Sequence, residues 1–168
     1  MITLYYHAPK ELLPLASKAG MQWMTALGKT MQSPALVMLA PVPLRLANVV
    51  IKWGVVDRRQ NPDRVAQHEK HETRLDAKST TTLHIITLAD DVKWRISWWQ
   101  RFMGIGDADA HAALLHEMGH ALGLPHSDRE SDVMAPDLGT TVISDDEAQR
   151  YRAFLSPRQN TFAPPLIP

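Results

Sequence analysis

The chain has 168 residues, a length that suits one domain with a single core. Lys plus Arg equals Asp plus Glu, 18 each, so the composition carries no electrostatic footprint for nucleic acid or an anionic membrane. The chain has no cysteine, which excludes disulfides, thiolate metal sites and a cysteine nucleophile; any metal must be held by His, Asp, Glu or backbone oxygen.

The opening MITLYYHAPKELLPLASKAG has no basic region followed by a long apolar run, so no signal peptide is legible in it. Stretches such as ALVMLAPVPL are too short and proline-broken to span a bilayer. Pro9, Lys10 and Glu11 suit a first helical turn, and Leu12, Leu13, Ala16, Trp23, Met24 and Leu27 keep a helical period up to Gly28. The spacing predicts a long amphipathic helix over 9–27. Residues 34–46 hold three prolines and read as an extended connection.

The β-branched run ANVVIKWGVVD, 47–57, reads as a buried strand. From Asp57 to Lys78, 11 of 22 residues are charged with mixed sign, which predicts a solvated loop with one short strand at RVAQH. TTTLHIITL, 80–88, is a second clear strand. Trp94, Trp98 and Phe102 follow at i, i+4 and i+8, a stripe better explained as core than as a binding platform. Gly104 and Gly106 then break the chain, and Asp107 or Asp109 can cap a helix over 110–122. Ser144 with Glu147 forms a capping box, Val142 or Ile143 lies just ahead of it, and Ala148, Tyr151, Phe154 and Leu155 mark an apolar face. Residues 156–168 hold four prolines and predict an extended tail. A functional helix that follows the strands, instead of alternating with them, argues for an α+β fold.

HAALLHEMGHALGLPHS, 111–127, carries the chemistry. In a helix, residues four apart differ by about 40° in direction and roughly 6 Å along the axis, so His116 and His120 project from one face. Glu117 lies about 100° round from His116 and is better placed to reach a water on a shared metal than to be a third ligand. Gly123 permits the left-handed conformation that ends a helix, and the chain then returns through Leu124 and Pro125 to His126. Three neutral imidazoles with one open position are the pattern of a catalytic zinc site, since structural sites close all four. Five fixed residues of this kind coincide by chance at about one position in ten million.

The pattern His116-Glu117-x-x-His120-x-x-Gly123-x-x-His126 resembles the zinc signature of the metzincin metallopeptidases. Met134, in SDVMAP, stands where that clan places the methionine of its Met-turn. Ser127 after the third histidine, with Met134-x-Pro136, is similar to the matrixin branch. Similarity is strong over 111–136 and looser elsewhere. Matrixins usually carry tyrosine after that methionine, where this chain has Ala135.

The resemblance implies a twisted mixed β-sheet, a long N-terminal helix, an active-site helix, and a small C-terminal subdomain with the Met-turn and a final helix. It implies one catalytic domain over 1–168, with an upper part to about 123 and a lower part over about 124–168 that includes the proline-rich tail. The implied activity is zinc-dependent hydrolysis of peptide bonds. His116, His120 and His126 are the zinc ligands, and Glu117 is the base that assists attack of zinc-bound water. Met134 is an apolar floor and Gly123 the turn. One of Asp145 and Asp146 is expected to hydrogen-bond the Met-turn backbone, or both simply favour a helix N-terminus. Structural zinc or calcium beyond the catalytic zinc is raised by the family. The candidates for a second zinc are His68, His71 and His84, whose spacing does not match the family pattern; incidental histidines in a charged loop explain them better.

The resemblance implies protein or peptide substrates and a monomer, with no nucleic acid and no membrane insertion; the sequence leaves the location open, and the family resemblance favours a place outside the cell. The alternatives are a narrow-specificity processing protease or toxin and a catalytically reduced zinc-binding module. Retention of Glu117 weighs against the last.

Overall fold

The computed structural model describes residues 2–28, 37–74 and 80–155. Five strands form one sheet: β1 (Ile2–His7), β2 (Val37–Pro41), β3 (Val49–Gly54), β4 (Ala66–Arg74) and β5 (Thr80–Ala89). Their order across the sheet is β2-β1-β3-β5-β4, parallel throughout except for the antiparallel β4–β5 pair. A two-residue pairing of β6 (Trp94–Arg95) with β7 (Ala108–Asp109) forms a separate ribbon. Helices are α1 (Leu13–Gly28), the five-residue α2 (Trp98–Phe102), α3 (Ala110–Ala121) and α4 (Asp145–Leu155). The fold is mixed α+β with a mostly parallel sheet, compatible with that of matrixins. No helix among the described residues is long and apolar enough to cross a membrane.

The long N-terminal helix forms where the spacing places it. Its first turn opens at Pro9, whose carbonyl accepts from the Leu12 and Leu13 amides at 3.0 and 2.9 Å. Leu15, Ala16, Ala19, Gly20, Trp23 and Leu27 make its buried stripe. Trp23 joins three helices. Its indole Nε1–H donates to the Leu115 carbonyl of α3 at 2.8 Å, and its ring meets Tyr151 of α4 edge-on at 6.1 Å. A buried indole that satisfies its N–H in this way adds direction to non-directional apolar burial.

Several elements differ from the sequence-based expectations. β1 lies in an opening segment given no strand, with Leu4 and Tyr6 buried and Tyr5 exposed between them. The extended connection contains β2, which pairs with β1 as an edge strand and ends at Pro41, a place where a missing amide costs no ladder bond. The strand expected at RVAQH in the charged stretch starts later and runs further, since nine residues of that stretch form β4. Only Ala66 on β4 is fully buried, so its polar composition reflects an edge strand whose far half is solvated on both faces. The Trp94/Phe102 stripe does not form, because Trp94 sits in β6 and Phe102 is 75% exposed at the end of α2. The Trp98 side chain and the proline-rich tail over 156–168 lie outside the described residues.

Candidate metal centre

α3 carries two of the predicted ligands, and its whole length is packed. The Asp109 carboxylate caps it, accepting from the His111 and Ala112 amides at 2.8 and 3.2 Å. Every residue from Ala110 to Gly119 is buried. Gly123, at φ 85°, ends the helix in the left-handed conformation. Its amide donates to His120 at 2.8 Å, and the Leu124 amide to Gly119 at 3.0 Å. That turn brings His126 back over the helix face.

The three imidazoles converge. His116 Nε2 and His120 Nε2 lie 3.3 and 3.0 Å from His126 Nε2. Ligand nitrogens shared by one tetrahedral zinc would sit about 3.3 Å apart, so little adjustment is needed. The tautomers are set from behind. His116 Nδ1–H donates to the Val133 carbonyl at 2.8 Å, and His120 Nδ1–H to the Leu124 carbonyl at 2.9 Å. Both Nε2 atoms are therefore bare lone pairs aimed at one point, an arrangement that a cation relieves. Burial pushes the His116 imidazole down to about 4 and lowers that of His120, so both are neutral near pH 7. This is the only set of three or more convergent ligand side chains among the described residues.

Glu117 is 6% exposed and accepts no hydrogen bond among the described residues. Burial raises its carboxyl to about 7, with the Arg64 charge acting in the opposite direction. Such a group can hold or release a proton near neutrality.

The segment after His126 packs against the histidine cluster, through the Val133 carbonyl that pairs with His116. Ser127 is buried; its hydroxyl donates to Asp132 at 2.5 Å, and its amide to the Met134 carbonyl at 2.8 Å. Burial raises the Asp132 carboxyl, but the bonds from Ser127 and from Arg150 (2.6 Å) outweigh it and hold the group low. Met134 is fully buried and reaches under Gly119, where an added Cβ would lie 2.2 Å from its sulfur.

Two expectations change at α4. Ser144 does cap it, accepting from the Glu147 amide at 3.1 Å, but the Glu147 carboxylate does not reach back to complete the box. It accepts instead from the Val133 and Met134 amides, each at 3.2 Å. Glu147 thus makes the backbone contacts that one of the two readings gave to Asp145 or Asp146, while Asp146 pairs with Arg129 on the surface. Glu147 was legible only as a cap, since nothing local distinguishes a carboxylate that turns toward a loop 13 residues back.

The other histidines are not one cluster. His68 Nε2 and His84 Nδ1 lie 2.8 Å apart, on the antiparallel strands β4 and β5, and the His68 ring lies over His120 at 6.1 Å. His71 is exposed and pairs with Glu69 instead. His68 and His84 are not incidental loop residues; burial pushes their imidazoles down to about 3 and about 4.

Three convergent imidazoles, two of them carried with Glu117 on a helix packed against a mixed sheet, form a set that could hold one metal ion. The sequence model of the matrixin family matches residues 45–151, which span α3, the three histidines and most of α4. The chain belongs to the matrixins, a family of zinc-dependent endopeptidases. No curated protein sequence matches it.

Proposed function

We propose that the protein is a zinc endopeptidase, with His116, His120 and His126 holding the metal and Glu117 moving the proton. The observation that carries this reading is the pair of Nδ1–H bonds that leaves the His116 and His120 Nε2 lone pairs converging on the helix that also carries Glu117, buried and without a hydrogen bond among the described residues. Zinc bound there would supply a Lewis acid for the scissile carbonyl and for water. Glu117 takes the proton of the attacking water and returns it to the leaving amine, a task suited to a carboxyl raised to about 7. Met134 serves as the Met-turn methionine under the ligands, held there by Glu147.

β4 pairs only with β5 among the described residues, so its outer edge offers amides and carbonyls to an extended peptide beside the metal. On this reading the chain is one catalytic domain, and its cleft divides a part ending near residue 123 from one starting near 124.

Glu117→Ala tests the assignment. The variant is expected to keep one zinc by native mass spectrometry while cleavage of quenched fluorescent peptides falls by several orders of magnitude. Wild-type turnover in that variant would remove Glu117 as the base.

A further inference from the structure

The sheet meets the histidine cluster through β4 and β5, which pack against α3. His68 pairs across the ladder with the fully buried Ile86, and His84 lies two residues before Ile86 on β5. The two histidines therefore share one face as diagonal neighbours, a separation that a pair of imidazoles can bridge. His68 Nε2 and His84 Nδ1 lie 2.8 Å apart, with the ring planes 20° apart. The His68 ring also lies nearly parallel to that of His120, at 25° and with centroids 6.1 Å apart. His84 is anchored in turn: it is buried, and its amide donates to the Asn48 carbonyl at 2.8 Å. A row of three imidazoles thus runs from the sheet to the cluster.

His120 has need of such a neighbour. His116 is buried on all sides, whereas His120 is half-buried. The bond from His120 Nδ1–H to the Leu124 carbonyl fixes one atom of the ring and leaves the plane free to rock about it. A flat ring packed alongside removes that freedom. The bond between His68 and His84 uses one nitrogen of each ring, one donating and one accepting. No third ligand group converges on that pair among the described residues.

We propose that His68, braced by His84, is a positioning residue that sets the plane of the His120 imidazole and so the direction of its Nε2 lone pair. The pair is a strut for the cluster and not a second metal site. The proposal rests on the reading of His116, His120 and His126 as metal ligands.

His68→Ala and His84→Ala test it against His71→Ala, an exposed histidine on the same strand. In the metal-free wild type, long-range proton–nitrogen spectra of the imidazoles should show His120 protonated at Nδ1 alone. In His68→Ala the same signals should move toward an average of the two tautomers. Zinc affinity, read by chelator competition, should fall about tenfold in His68→Ala, and the cobalt-substituted protein should show shifted visible absorption. His84→Ala should reproduce part of each change, and the double variant should be no weaker than His68→Ala alone. His71→Ala should change nothing. Thermal melts of the metal-free variants confirm folding; should His68→Ala fail there, His84→Ala carries the same test one ring further from the cluster. An affinity within about twofold of wild type together with an unchanged His120 tautomer would overturn the proposal. So would a second zinc, seen by native mass spectrometry in the wild type and lost in His68→Ala. A His120 tautomer freed in His68→Ala, in a protein whose wild type binds no zinc, would leave His68 standing and overturn the metal reading instead.

Discussion

Gly119 lies between His116 and His120 of α3, and Gly119→Ala tests how closely that helix is fitted to Met134. In an exposed helix the change would stabilise by about 1 kcal/mol through propensity alone. Here the new Cβ would fall 2.2 Å from Met134 Sδ, 3.1 Å from Met134 Cε and 3.0 Å from Trp23 Cζ2. The sulfur contact is about 1.5 Å too short for ordinary packing. Trp23 is tied by its bond to Leu115, and the Met134 backbone is tied by Glu147, so only the Met134 side chain can yield. Overpacking of this kind costs about 1–3 kcal/mol, so the substitution should be neutral to destabilising by roughly 2 kcal/mol. Met134→Ala alone should cost about 2–5 kcal/mol through the cavity it leaves. With that cavity present, Gly119→Ala should become stabilising, which gives a coupling of about 1–3 kcal/mol between the two changes. Equilibrium urea unfolding of all four proteins in chelator measures this without metal linkage. Additivity within about 0.5 kcal/mol, or a Gly119→Ala protein more stable than wild type, would refute the fit.

Glu147→Ala should leave the buried Val133 and Met134 amides unpaired, at about 1–3 kcal/mol each, and loosen the carbonyl that orients His116. Zinc affinity should drop at least about tenfold in a chelator competition; an unchanged affinity would disconnect Glu147 from the site. His126→Ala should lose zinc on dialysis, and native mass spectrometry showing full retention would mean that another group is the third ligand. Without metal, stability should fall with acid. His84 and His116 are pushed by burial from 6.5 to about 4, and His68 to about 3, so the unfolded chain takes up protons first. Their contribution is complete above pH 6.5 and is lost as pH falls toward 4 and then 3. Urea midpoints flat from pH 7 to 4 would show that these imidazoles are not buried in solution.

The parts legible in the sequence were those with a local cause. α3 was expected over 110–122 and runs Ala110–Ala121, because good helix formers sit between an Asp109 cap and a glycine stop. The convergence of the three histidines followed from the 3.6-residue period and the Gly123 turn, both properties of contiguous chain. β3 and β5 stood out through their β-branched residues, which are buried on one face of β3 and on both faces of the second half of β5. β4 was legible only at its start, as RVAQH, because an edge strand takes its stability from backbone pairing with β5, to which its exposed Glu69, Lys70 and Glu72 are indifferent.

What the sequence alone determined, then, is the histidine cluster: two histidines and a carboxylate on one helix, a turn, and a returning histidine, all within eleven residues of helix and turn. The tertiary structure decided which groups surround it. His68 and His84, 16 residues apart, meet only through the β4–β5 register, and Glu147 finds Val133 and Met134 only because α4 packs under that loop. Register and helix docking are set by long-range burial, and no local pattern encodes the partner that a side chain meets across the core.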